Sequence, residues 1–348
     1  MSANTLVKPA KPWLKRSPQE LFTSSLPSLI PIVLAAITVL FTGLSGKTGF
    51  ALAWLVFTSL IIVIWPILVK SKNLRGDLIL QSMVAVATLA FFTAVAWVLS
   101  SVLNPGLRNF NFSLLVGDSS VVEVDSPLNV GGLAHALVGS IIVVGLATLI
   151  SVPFGILSAL YITEVRGKLV PYVRFFIQAM SGVPSIVAGL FIYAALIVTQ
   201  VFPFTGFTGS LALAILMLPT VARTAEEVLR LVPDELRNAA LSLGGTQTRT
   251  IFQVVLPSAK TGLITAVILG IARVAGETAP LLLTAFGGNT VNLNPFSGTM
   301  ATLPWYIFSQ MSLGTENDVA RAWVAALTLL VLVTLIFSTA RILGRSRR

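Results

Sequence analysis

The stretch ELRNAALSLGGTQTRTIFQVVLP, Glu235 to Pro257, is a polar island of helix-forming sequence set between long apolar runs. Pro233 suits the first position of a helix, and Asp234 and Glu235 then fall in the first turn, where the positive end of the helix dipole favours carboxylates. Leu236, Ala239, Ala240 and Leu243 recur at helical spacing and make one apolar stripe. Gly244 and Gly245 stop that helix, because glycine accepts the left-handed conformation that closes a helix end. Thr246 caps a second short helix, in which Ile251, Val254 and Val255 repeat the stripe, and Pro257 ends it. Two amphipathic helices hinged at glycine and tied to a membrane at both ends form a knob able to transmit a push. The same residues also suit a plain structured loop between two membrane helices.

The rest of the chain supplies the membrane. With 55% apolar residues, 10% charged residues and a mean hydropathy of +0.91, there is too little polar surface to cover a water-soluble globule. Eight apolar stretches approach or exceed the about 20 helical residues that cross a hydrocarbon core. They lie near 27–43, 50–69, 78–103, 133–162, 175–197, 209–224, 258–286 and 319–341, and none alternates with the period of a barrel strand. The expected fold is an all-α integral membrane protein of eight transmembrane helices. Placing both termini in the cytoplasm puts 19 of the 23 lysines and arginines on that side, leaving Lys47, Arg108 and Arg321 outside and Arg273 within a span. The net charge of +10 therefore reports orientation, and nucleic acid need not be invoked.

Several function classes drop out. The chain has no cysteine and a single histidine, His135, so thiol chemistry, a His-based metal centre and a Ser/His/Asp triad are all excluded, and no catalytic group is assigned. GKT at Gly46–Thr48 is not a phosphate-binding loop, since Phe41 stands where the first glycine is required. Any ATP used in transport, with its magnesium, must therefore bind a separate subunit.

In chain order, residues 1–26 form a basic tail without apolar period, and 27–77 form an accessory transmembrane hairpin. The segment Asn104–Gly132 carries Asp118, Glu123 and Asp125 and reads as an external docking surface or a solvated loop. His135 begins the next span as an interfacial residue. Prolines and glycines are expected to break helices at Pro153 and Gly155, at Gly182 and Pro184, and at Pro219, and such breaks are tolerable where protein or a water-filled cavity satisfies the freed backbone. Gly182, Pro184 and Pro219 thus mark helices that line a pathway or are merely kinked. A basic tail, 342–348, closes the chain.

Span seven holds GIARVAGETAPLLLTAF, with Arg273 and Glu277 the only full charges placed deep in the hydrocarbon. Each would cost about 2.5–3.5 kcal/mol at a helix centre, so compensation is required. Spaced i, i+4, the two heads project from one face and can neutralise one another. Alternatively that face lines a transport route, where the planar fork of Arg273 matches a tetrahedral oxyanion and Glu277 holds the guanidinium or takes a proton.

Two sets of residues resemble known families. The spacing Ala239, Ala240, three residues, Gly244, nine residues, Val254, Val255, Leu256, Pro257 resembles the Glu-Ala-Ala loop of ABC importer permeases, with Asn238 where that pattern usually has Glu. ARVAGETAPLLLTA, Ala272–Ala285, is similar to the signature of A-type membrane subunits of phosphate-specific (Pst) importers, and SGVPSIVAGLFIY and VPDELRNAALSLGGTQTRTIFQVVLP fit it too. The resemblance covers residues 78–341 and implies a six-helix permease core in a bacterial plasma membrane, with a cytoplasmic coupling loop over 233–257. It implies that Glu235, Asn238, Ala239, Ala240, Gly244, Leu256 and Pro257 engage a cytoplasmic ATPase dimer, and that Arg273, Glu277 and Thr278 face inorganic phosphate. A C-type permease and an extracytoplasmic phosphate-binding protein complete the implied assembly. A permease for sulfate, molybdate or another oxyanion, or the C-type partner itself, shares most of these features; an ion-driven transporter or channel leaves the Glu235–Pro257 loop unexplained.

Overall fold

The computed structural model describes residues 30–40, 46–69 and 75–344. The tail expected over 1–26 and the last four residues of the closing tail lie outside them. Among the described residues all regular secondary structure is helical, apart from one isolated bridge between Phe286 and Met300.

The chain divides into two compact units, Met1–Ser101 and Val102–Arg348. The first contains α1 (Ile30–Leu40), α2 (Gly46–Val69) and most of α3 (Arg75–Arg108). Both α1 and the Gly49–Ile62 part of α2 are apolar. The second unit contains α4 (Ser113–Val116), α5 (Ala134–Leu160), α6 (Val170–Ser181), α7 (Ser185–Ile192), α8 (Gly206–Arg230), α9 (Asp234–Ser242), α10 (Gln247–Thr250), α11 (Leu256–Ala275), α12 (Ala279–Leu282), α13 (Leu303–Leu313) and α14 (Glu316–Gly344). Among the described residues five helical segments are long and apolar enough to cross a membrane, and α6 with the α7 segment to Ile197 adds a sixth if that bent pair is one span.

The second unit is built around α8. Thr205 caps it: its hydroxyl accepts from the Thr208 N–H while the Thr208 hydroxyl receives the Thr205 N–H, which satisfies two of the orphan donors at a helix start. Leu213, Leu216, Met217 and Val221 of α8 pack with Val143 and Ala147 of α5 and Val274 of α11 in one core, and Ala225 and Leu229 pack with Ala159, Val255, Ala259 and Leu263 in a second. The three helices approach at glycines. A Cβ on Gly155 would lie 2.9 Å from Val221 Cγ1, one on Gly270 2.7 Å from Val221 Cγ2, and one on Gly262 2.4 Å from Val228 Cγ1. Hydrocarbon around the bundle offers no hydrophobic drive between helices, so this closeness supplies the dispersion contact that holds them.

Two expected breaks are absent. Pro153 with Gly155 lies inside continuous α5, and Pro219 lies buried inside continuous α8. A proline removes one intrahelical bond, but packing on several sides and polar neighbours such as the Ser151 hydroxyl, 3.2 Å from the Ala214 carbonyl, keep the helix intact. The third break is real: the chain bends by 105° between α6 and α7, at Gly182–Pro184. Pro257 does not end its helix either. A π-helical turn over Ile251–Val255 leads directly into α11, placing Pro257 in the first turn of the new segment, where a missing N–H costs little.

Candidate functional site

The polar knob forms as its local signals dictate. Pro233 takes the cap position of α9 in an extended conformation, with Asp234 and Glu235 in the first turn. Gly244 has a φ of +81°, the left-handed conformation that a side chain would disfavour. The Thr246 hydroxyl accepts from Arg249 N at 3.3 Å and starts α10. What does not form is an internal core, because α9 buries none of its residues. Glu235, Asn238 and Ala239 are exposed, and Leu243 is 90% exposed. Beside them opens a cleft of about 320 Å³ lined by Ala240, Leu243, Gly244, Arg249, Gln253 and Val254, among others. Leu256 is half-buried and Pro257 exposed. Leu236, Ala239 and Leu243 of the first stripe thus face out, while Val255 of the second is buried.

A residue that sequence reading missed ties this knob to the spans. Arg237 of α9 donates from Nε to both Glu164 oxygens (3.2 and 3.1 Å) and from Nη2 to Glu164 Oε1 at 2.7 Å. Its Nη2 also reaches the Leu229 carbonyl at 2.9 Å, while Nη1 serves the Val232 carbonyl and Asp234 Oδ1. Glu164 lies in the π-helical turn Tyr161–Val165 that finishes α5, and its backbone carbonyl accepts from Gln247 Nε2 at 2.7 Å. Hydrogen bonding to Glu164 holds the Arg237 guanidinium above its usual pKa, with Asp234 adding to the effect and burial opposing it.

The charges of span seven fall differently from the expected pair. α11 stops at Ala275 and Gly276 caps it, so Glu277 lies beyond the helix end and the i, i+4 alignment does not exist. Among the described residues neither Arg273 nor Glu277 joins a salt bridge. Arg273 sits in the last turn of α11, where the negative end of the helix dipole favours a cation, and Nη1 donates to Thr220 Oγ1 of α8 at 3.0 Å. Its side chain is exposed, Glu277 and Thr278 are half-buried, and a Cβ on Gly276 would meet nothing within 4 Å. Open space therefore adjoins both charges.

The interrupted segments meet one another. Thr278 precedes α12, whose Pro280 packs against α7 so closely that a Cβ on Gly189 would come 2.6 Å from Pro280 Cα. The break at Gly182 and Pro184 starts that same α7. Arg273, Glu277 and Thr278 lie within six residues at one break, Gly182 and Pro184 form the other, and Pro219 is one residue from Thr220 within an unbroken helix.

A second cation is held by main chain. Arg321 is 1% exposed at the start of α14 and donates to the carbonyls of Val130 (2.9 Å), Ser126 (3.0 Å) and Pro127 (2.7 Å). Asp318, equally buried, accepts from Thr315 Oγ1 and from Asp125 N. Together they fasten the loop that carries Asp118, Glu123 and Asp125, and Ser119 N binds that loop to the Asn289 carbonyl at 2.9 Å. Within it, hydrogen bonds from the Ser120 hydroxyl and N–H hold the Asp118 carboxyl below the usual carboxylate range. His135, at the start of α5, is buried with its ring edge-on to Tyr306 at 5.3 Å between centroids.

The chain is similar to known proteins of one family. A family model described as binding-protein-dependent transport system inner membrane component matches residues 151–348. Phosphate transport system permease protein PstA 1 of Mycobacterium tuberculosis (strain CDC 1551 / Oshkosh) is 42% identical over 207 residues, 59% of this chain and 68% of that one. The PstA of Mycobacterium leprae is 40% identical over 259 residues, 71% and 84% of the two chains, and that of Pasteurella multocida 38% identical over 248 residues, 70% and 86%.

Proposed function

This chain belongs to the PstA family of bacterial plasma-membrane permeases, and from that premise we propose that it forms half of an alternating-access route for inorganic phosphate in an ATP-driven importer. The observation that carries the proposal is Arg273. It is a permanently charged, planar donor at the broken end of an apolar span, with one contact to Thr220 and open space at Gly276. A divalent oxyanion entering hydrocarbon without a compensating cation faces a prohibitive desolvation cost, and the guanidinium supplies the cation with matching forked geometry. Glu277, one residue past the helix end, limits the net positive charge so that phosphate is released as well as bound, and Thr278 adds a hydroxyl at the same break.

The rest of the assembly follows from what this chain leaves uncovered. The exposed Leu236, Leu243 and cleft of the α9–α10 knob suit a groove on a cytoplasmic ATPase dimer, which holds the ATP and magnesium. A related C-type permease completes the route, and a phosphate-binding protein delivers cargo on the opposite side, where the loop fastened by Arg321 presents Asp118 and Glu123. The distribution of lysine and arginine supports a reading with both termini in the cytoplasm and eight spans, of which the described residues supply five or six candidates.

The test is copurification from membranes followed by labelled-phosphate uptake in vesicles. An ATPase and a second permease should come with the chain, and unlabelled phosphate but not sulfate should compete. Uptake competed equally by sulfate or molybdate would assign another oxyanion, and transport without any ATPase would overturn the proposal.

A further inference from the structure

We infer that Arg237, held by Glu164, is the positioning residue that locks α9 to the ends of α5 and α8, so that a displacement of α9 passes into those spans instead of being absorbed at the link between them. The inference deepens the importer reading and rests on it.

The argument begins with what α9 lacks. It is joined to α8 only by Leu231, Val232 and Pro233, and none of its own residues is buried, so apolar packing does not fix its angle. A short helix on such a link would pivot when pushed. The Arg237 guanidinium supplies the missing constraint, and all of its N–H groups have acceptors: both Glu164 oxygens, the Leu229 and Val232 carbonyls and Asp234 Oδ1. Those two carbonyls belong to the last turn of α8 and its exit, where a cation is favoured by the helix dipole. One rigid plane therefore touches three elements at once.

Glu164 makes the opposite anchor. Its side chain takes the guanidinium and its backbone carbonyl takes Gln247, at the start of the helical run into α11, so the two limbs of the knob converge on one residue. The pair is shielded, with side chains 12% and 7% exposed, whereas the arginines bridged by Glu226 are 48% and 58% exposed. Solvent screening weakens the latter kind and spares the former. From Leu229 the rod of α8 runs about 14 Å to Thr220, at 1.5 Å per residue, and there meets Arg273.

The phosphate moved per ATP hydrolysed is measured for the purified complex in vesicles. Arg237→Ala should keep the ATPase bound and hydrolysing but lower the ratio at least about fivefold, the smaller end of coupling between distant sites. Arg237→Lys should stay low, because one ammonium cannot serve a carboxylate and two helix-end carbonyls together. Since the chain has no cysteine, Glu164→Cys with Arg237→Cys can be joined by a short bis-maleimide, which should raise the ratio again. A residue needed only for folding would not respond to that link. A wild-type ratio in Arg237→Ala, or a linked pair no better than the unlinked one, overturns the inference. If Arg237→Ala fails to assemble, Glu164→Gln decides instead, because it leaves both carbonyl contacts in place; an unchanged ratio overturns and a lowered one supports. A complex that couples ATP to a different oxyanion removes the phosphate reading alone, because the clamp is then scored on the anion actually carried.

Discussion

Arg273→Gln is the substitution that bears most directly on the route. The wild-type guanidinium has one N–H engaged, on Thr220 at 3.0 Å, and its other four have no partner among the described residues. Two of those four can meet an oxyanion as a fork, and at about 1.5–3 kcal/mol per charge-assisted bond, with 1.4 kcal/mol per tenfold, their loss corresponds to about a 10²–10⁴-fold fall in uptake. The side chain is exposed in the isolated chain, where water competes, so the lower end of that range is expected. Arg273→Lys keeps the charge without the fork and should fall between wild type and Gln. Thr220→Val removes the charge-assisted bond that orients the guanidinium, about 1.5 kcal/mol at this exposed site, and should cost about tenfold. The assay is initial-rate uptake of labelled phosphate in vesicles containing the full complex, with assembly checked by copurification. Undiminished uptake in an assembled Arg273→Gln complex would refute the assignment, and a Thr220→Val loss as deep as that of Gln would show that orientation, not charge, limits transport.

Three further outcomes are expected. Glu277→Gln should cripple uptake without loss of assembly, and an unaffected rate would remove that carboxylate from the route. Gly244→Val should uncouple hydrolysis from uptake: the residue holds φ +81° in open space, so the penalty is wholly backbone, about 1–2 kcal/mol, and is met by reshaping the knob; a normal ratio of phosphate to ATP would contradict this. Arg321→Leu strands the carbonyls of Ser126, Pro127 and Val130 at about 1–3 kcal/mol each where they stay dry, so hydrogen exchange over residues 117–132 should accelerate and thermal unfolding should move down; unchanged protection would show that the loop is held by other means.

The knob was legible because its signals are local. Pro233, Gly244 and Thr246 each act on the backbone within a turn; Gly244 and Thr246 stand where the spacing put them, and Pro233 one position earlier, at the cap. The positions read less well depend on surroundings. Pro219 and Pro153 looked like breaks because a proline is a local signal too, but tight packing around α8 and α5 overrides it. Pro257 looked like a stop because the preceding π-helical turn, which steps past the missing N–H, has no sequence signature. Span seven was read as one helix through Gly276, where it ends, and this paired Arg273 with Glu277. The burial of Arg321 went unread since its partners are main-chain carbonyls, which any sequence supplies. Arg237 and Glu164 stand 73 positions apart, and nothing along the chain announces their meeting. A carboxylate at the cytoplasmic end of a span facing an arginine-bearing loop was the one available hint.

The three glycines at which α5 and α11 abut α8 also constrain how the transporter can switch. Valine side chains already fill the contact, so twisting or sliding one helix past its neighbour would drive Val221 or Val228 into main chain before any opening was gained. Those three helices must therefore travel as a single block, and on the proposed importer reading the gating displacement is taken up at the surface that meets the second permease. Spin labels placed across α5 and α8 should report the same separation with and without nucleotide, whereas pairs straddling the two permeases should not.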